Sequence, residues 1–355
     1  MRDSVAGDGS VEGWTDRLRD LSPAYFGLVM ATGIVSLAAF MMEHRLVATT
    51  MFYLNIGQYA VLSALYLLRL WRFPGRFFGD MFTHAVGPGY FTSIAGTGIL
   101  ASQFLILREN VAVGAAFWGV AVLLWLCLTY AIFTALTIKR DKPSLDKGIN
   151  GAWLLAVVAT QALSVSSALL AARIGQPYRL EFNLLALSMW LWGGMLYIWM
   201  MSLIFYRYAF FQFSPGDLAP PYWINMGAMA ISTLAGSLLI LNAPQAPFLT
   251  SLLPFLKGFT LFYWATGTWW IPMLVVLGIW RHGFERFPFR YDPLYWGAVF
   301  PLGMYAACTW QMSRAMEFDF LSGLPRAFLY IAFAAWSVTF VGMLRALFRI
   351  RGARS

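Results

Sequence analysis

Charge is scarce in this chain. Asp, Glu, Lys and Arg make up 12% of its 355 residues, against 60% hydrophobic. That is far more apolar surface than a soluble domain of this length covers. Histidine occurs only as His44, His84 and His282, each in a loop or at the end of an apolar run. No HExxH motif, in-membrane carboxylate pair or Ser/His pairing accompanies them, so enzymatic chemistry has no support. The two cysteines, Cys127 and Cys308, lie inside apolar runs without CxxC or CxxH companions, which excludes a disulfide framework and a zinc site. No metal or other cofactor is indicated. The apolar runs carry no Asp, Glu, Lys, Arg or His clear of their ends, whereas cation channels use carboxylate rings and proton-driven carriers use an intramembrane acid.

What is present is length. The apolar runs repeatedly exceed the roughly 18 to 20 residues that span a bilayer. Ten spans are expected: Pro23 to Met42, Val47 to Leu70, Phe82 to Leu107, Val111 to Ile138, Gly148 to Ala172, Leu180 to Tyr206, Tyr222 to Asn242, Phe255 to Trp280, Pro293 to Ser313 and Leu324 to Leu347. The chain thus divides into a polar leader (1–22), a ten-helix all-α transmembrane domain (23–347) and a basic tail (348–355). The leader shows no cleavage pattern and is expected to be retained. Trp14, Leu18 and Leu21 put a short helix on the membrane surface. Of the 25 Lys and Arg, 18 fall in the N-terminus and after the even spans, which places both termini in the cytoplasm of a multi-pass plasma-membrane protein. These basic residues are spread over short loops and do not suggest nucleic acid. The net charge of +9 favours anions at the cytoplasmic mouth.

A repeat organises the spans. Each odd span opens on a small or cyclic residue followed by aromatics: SPAYFG from Ser22, GPGYFT from Gly87, NGAWLL from Asn150, PPYWIN from Pro220 and DPLYWG from Asp292. The unit is a helical hairpin, and five start on the same side of the membrane. The odd spans also carry small or hydroxyl residues at helical spacing on one face, including Thr32, Ser36, Ser93, Gly96, Thr160, Ser164, Ser167 and Ser232, with Thr97 and Thr233 as further hydroxyls. Such faces serve close helix contacts or line a path; five in a ring raise the second reading to at least equal weight. In the ninth span Gly297, Phe300, Met304 and Ala307 share one face, bulky only at Phe300 and Met304. Pro301, beside Phe300, removes an amide donor and bends the helix. Phe300 is then either a plug in a narrow path or an interhelix filler.

The strings YFGLVMATGIVSLA from Tyr25, NGAWLLAVVATQ from Asn150, PPYWINMGAMAISTLAG from Pro220 and WGAVFPLGMYA from Trp296 resemble the tellurite-resistance and dicarboxylate transporter family, which includes slow anion channels, sulfite pumps and malate permeases. The resemblance covers roughly 23–347. It implies ten helices as five hairpins in a quasi-five-fold arrangement, odd helices lining a central pore and even helices outside, homotrimers with one pore per subunit, and a pore-blocking phenylalanine that matches Phe300. The fifth span departs from the family pattern: Ala156 and Ala159 stand where a mid-helix proline is found in transporter-like members. The expected activity is passage of small anions such as chloride or nitrate through a gated pore. The alternative is a secondary transporter exporting sulfite or C4-dicarboxylates. Odd-helix N-termini converging on the cytoplasmic face favour an anion, and the hydroxyls replace part of its hydration shell.

Overall fold

The computed structural model describes residues 8–289 and 291–352. The first seven residues of the leader and the last three of the tail lie outside the described residues. Every element among the described residues is helical. In chain order they are α1 (Asp8–Arg19), α2 (Gly27–Met41), α3 (Arg45–Arg72), α4 (Pro74–Met81), α5 (Phe91–Leu107), α6 (Val111–Ile138) and α7 (Leu145–Gly148). There follow α8 (Leu155–Ala171), α9 (Arg179–Phe210), α10 (Ile224–Asn242), α11 (Pro247–Ser251), α12 (Leu253–Ile279), α13 (Trp296–Met316) and α14 (Gly323–Gly352).

Each of α2, α5, α8, α10 and α13 is entered through a short 3-10 turn: Pro23–Phe26, Gly87–Tyr90, Gly151–Leu154, Pro220–Trp223 and Pro293–Tyr295. The repeated strings of the sequence are these turns. Proline suits a first helical turn, where its missing amide hydrogen costs nothing. Ser22, Asn150 and Asp292 cap three of the turns, their side-chain oxygens accepting from the amides of Ala24 (3.3 Å), Ala152 (2.9 Å) and Leu294 (2.8 Å), as short polar residues do at helix starts. The third span begins at Gly87 rather than at Phe82. Residues 82–86 form a turn in which the Gly87 amide donates to the Thr83 carbonyl at 2.7 Å. Pro88 keeps the residue before it out of a continuing helix.

Among the described residues nine helical stretches are long and apolar enough to cross a membrane. The expected ninth span, α13, is not in that set. Its 21 residues reach about 30 Å at 1.5 Å per residue, but two tryptophans, Gln311, Pro301 and two glycines dilute its apolar character.

Burial separates the helices into two classes. The most apolar stretches of α2, α5, α8 and α10 are 78–100% buried, against 17–56% for α3, α6, α9, α12 and α14. The buried helices touch in a closed cycle, α2 on α5, α5 on α8, α8 on α10, α10 on α13 and α13 back on α2, and their 3-10 turns touch in the same order. Each exposed helix packs on the buried helix preceding it: α3 on α2, α6 on α5, α9 on α8, α12 on α10 and α14 on α13.

Aromatic donors tie each exposed helix to the buried helix of the next unit as well. Trp125 Nε1 donates to Thr160 Oγ1 (2.9 Å), Trp264 Nε1 to Thr309 Oγ1 (3.0 Å) and Trp190 Nε1 to the Ser232 carbonyl (2.8 Å). The Tyr59 hydroxyl pairs with that of Thr97 (3.1 Å), and Trp336 Nε1 donates to Thr32 Oγ1 at 3.0 Å, joining the two ends of the chain. Trp336→Phe, which keeps the apolar contact but strands the Thr32 hydroxyl, is expected to cost about 1 kcal/mol, as interhelical hydrogen bonds in membranes do. The thermal midpoint in detergent should fall, and Thr32→Val added to Trp336→Phe should lower it no further.

Candidate functional site

The structure sets the register of the five repeats by their aromatic residue. Tyr25, Tyr90, Trp153, Tyr222 and Tyr295 correspond, so the fourth copy reads APPYWI from Ala219, one residue earlier than the sequence reading. In this register the sixth residue of every copy, Gly27, Thr92, Leu155, Ile224 and Gly297, borders one small cavity. The third residue does so in four of them, Ala24, Ala152, Pro221 and Leu294. The cavity holds about 20 Å³, little more than the roughly 10 to 15 Å³ that admits a single water. Met30 and Phe300 also line it, and Phe300 is fully buried, one helical turn beyond Gly297. Its wall is almost wholly apolar. The Thr92 hydroxyl donates to the carbonyls of Gly89 (2.7 Å) and Pro23 (3.0 Å).

Ala152, Pro221 and Leu294 border a second, larger volume of about 530 Å³, so the two adjoin. Lys147, Arg207, Asn150 and Gln212 face this vestibule together with Asp146 and Asp217. The Arg207 guanidinium is anchored there by the Ile149 carbonyl (3.0 Å), the Tyr222 hydroxyl (2.5 Å) and Asp217 (2.9 Å). The Ser214 hydroxyl, at 2.6 Å, and the Arg207 charge hold the Asp217 carboxyl below its usual range against a smaller opposing effect of burial. Asp217 therefore stays ionised at neutral pH and offsets the Arg207 charge.

Of the residues singled out in the sequence, Gly297 and Phe300 meet at the small cavity. Pro301 lies inside a continuous α13 and packs against Gly227 of α10, while Met304 and Ala307 are buried farther along α13. The hydroxyls have partners elsewhere. Thr32, Thr97 and Thr160 meet the aromatic donors described above; Ser167 accepts from Trp118 (2.9 Å); Ser36 and Ser164 donate to the carbonyls of Ala48 and Ala186 on exposed helices, each at 2.7 Å. Ser93, Ser232 and Thr233 donate to carbonyls of their own turns, those of Tyr90, Ala228 and Met229. Gly96 is a close-approach point, where an added Cβ would sit 3.3 Å from Val29. The sequence reading missed Gly27, Thr92, Leu155 and Ile224. The signal for them was the last place in each repeated string. Among the described residues no group of His, Cys, Asp or Glu is placed to hold a metal ion.

A family model for voltage-dependent anion channels matches residues 20–344. The chain belongs to the voltage-dependent anion channel family. Its relatives include two proteins of Methanocaldococcus jannaschii named as uncharacterized transporters. One is 22% identical over 93% of this chain and 96% of its own length, the other 23% identical over 92% and 93%. An uncharacterized membrane protein of Mycobacterium tuberculosis is 38% identical over 154 residues, 43% of this chain and 77% of that one. Membership points to anion transport across a membrane rather than to an enzyme.

Pro301 meets Gly227 where α13 packs on α10. A Cβ on Gly227 would lie 2.7 Å from the Pro301 Cγ. Gly227→Ala is expected to lower stability by about 1 to 3 kcal/mol through overpacking, seen as a reduced thermal midpoint. Gly57→Ala is the control: an added Cβ there meets nothing within 4 Å, and the midpoint should hold or rise slightly.

Proposed function

We propose that the protein conducts small anions through a central path closed by Phe300. In this reading ten helices cross the plasma membrane as five hairpins in quasi-five-fold order, the buried helices lining the path and the exposed helices facing lipid. Both termini lie in the cytoplasm, and three chains assemble as a homotrimer with one path each. The observation that carries the reading is the small cavity bordered by the sixth residue of all five repeats and by the Phe300 ring. Family membership supports the choice of anions. So do the five long-helix N-termini gathered at that end, each presenting partial positive charge.

A wall without ionised groups binds an anion weakly and lets it go, as conduction requires. Proton-coupled export of sulfite or a C4-dicarboxylate would call for a titratable group along the path. The buried positions of α2, α5, α8, α10 and α13 contain no Asp, Glu, Lys, Arg or His among the described residues.

Phe300→Ala should raise chloride and nitrate currents from purified protein about tenfold or more, the effect of removing roughly 1.4 kcal/mol from a barrier, with little change in thermal midpoint. Truncating a Phe that serves only as packing costs about 3 to 5 kcal/mol in a soluble core. A large loss of stability without a gain in current would therefore refute the gate. Pyranine-loaded liposomes separate channel from carrier: anion flux without proton movement is expected, and obligatory acidification would favour the carrier. Mass measurement in mild detergent should give three chains.

A further inference from the structure

Three guanidinium groups are buried at the ends of exposed helices: Arg69 on α3, Arg207 on α9, and Arg281 in the π-helical turn Trp280–Phe284 that follows α12. Each donates to a backbone carbonyl just ahead of its own unit, those of Arg19, Ile149 and Leu218. Two of the three also meet a carboxylate, Arg69 with Asp80 and Arg207 with Asp217. Arg281 breaks the pattern. Among the described residues no carboxylate lies within ion-pair distance of it, and the nearby Asp292 is turned to cap the Leu294 amide at 2.8 Å. Its guanidinium carbon lies 4.2 Å from the centre of the Phe287 ring. Arg281 is only 8% exposed, and its Nε has no partner. The Nε of Arg207 is also unpartnered, but that side chain has its acid.

Burying a guanidinium without a counter-charge is costly. Beside Arg281 there is room for one. A cavity of about 210 Å³ is bordered by Arg281, His282, Trp223, Leu274, Gly278 and Tyr295. We propose that this cavity binds an organic anion, with a carboxylate or phosphate group on the Arg281 fork and a small apolar body against Trp223 and Leu274. One amino group is held by the Leu218 carbonyl, and the remaining N–H donors of the guanidinium suit an oxygen of either group. The volume falls below the roughly 300 to 1,000 Å³ of drug-sized ligand sites, which limits the body to about one ring or a short chain segment. A soluble organic acid and the headgroup region of an anionic lipid share this chemistry. The site lies behind the start of α13: Tyr295 and Ala298 border it, whereas Gly297 and Phe300 border the central cavity. The binding proposal is thus independent of the pore reading.

The test uses the full chain in detergent at constant ionic strength, titrated with benzoate, with phenyl phosphate, and with phosphatidylglycerol in mixed micelles. Tryptophan fluorescence, to which Trp223 contributes, and the thermal midpoint are read. At least one probe should give a saturable response, weakened tenfold or more in Arg281→Gln and abolished in Gly278→Leu. The second variant keeps the bond from Arg281 to Leu218 and fills the cavity from a position where an added Cβ meets nothing within 4 Å; it decides the matter if Arg281→Gln folds poorly. Response to the aromatic acids identifies a soluble ligand, and response to the lipid alone identifies a headgroup. No saturable response to any of the three probes, or an unchanged response in Gly278→Leu, overturns the proposal.

Discussion

Hydrogen bonds from aromatic side chains on the exposed helices to the buried helices of the next unit hold this fold together laterally. Between helices in lipid there is little hydrophobic drive for association, so shape and the few available polar contacts decide which helices pair. An indole suits the task, because it offers one donor on a large apolar body. Tyr59, Trp125, Trp190, Trp264 and Trp336 each reach forward to the following buried helix, and Trp336 closes the cycle on Thr32. The hydroxyl or carbonyl that accepts is fully buried and has no water to turn to, so losing the donor is penalised. Each exposed helix also packs on the buried helix before it. The cycle is consequently held from both sides at every step.

This division of labour leaves the middle of the cycle without polar duties. The hydroxyls of the buried helices are used for assembly or for bonds within their own turns, and the residues that meet at the centre are small or apolar, with Trp296 and Phe300 the aromatic rings among them. Charge appears toward the vestibule, where Lys147 and Arg207 stand with Asp146 and Asp217. The buried arginines clamp the helix ends through backbone carbonyls.

Much of this was legible in the sequence. The aromatic strings announced the repeat because each is a helix entry with its own proline, cap and ring, and such entries need those residue types. The register of the fourth copy was obscured by Pro220 and Pro221, either of which can open a helical turn. The direction of the hydroxyl faces was not legible, because these helices are buried on every side; every residue of α8 is buried, so periodicity alone does not distinguish the inward face from the outward one. Arg69, Arg207 and Arg281 sit at the ends of apolar runs, where arginines ordinarily snorkel into solvent. Their burial depends on carbonyls 50 to 63 residues away in the chain and, for Arg69 and Arg207, on a tyrosine and an acid nearer in the chain. The weak apolar character of α13 follows from the features that drew attention to Phe300, its glycines and Pro301.

The central claim is that the last residue of each repeated string faces the path while the hydroxyl row faces outward. Leu155 and Thr160 test it on one helix, since Leu155 borders the small cavity and Thr160 is bonded to Trp125. In a Phe300→Ala chain with Cys127 and Cys308 replaced by alanine, Leu155→Cys and Thr160→Cys would each be exposed to a sulfonate-bearing methanethiosulfonate reagent while anion current is recorded. The account predicts that the current is blocked in Leu155→Cys and unaffected in Thr160→Cys. Block at residue 160 with none at residue 155 would contradict it.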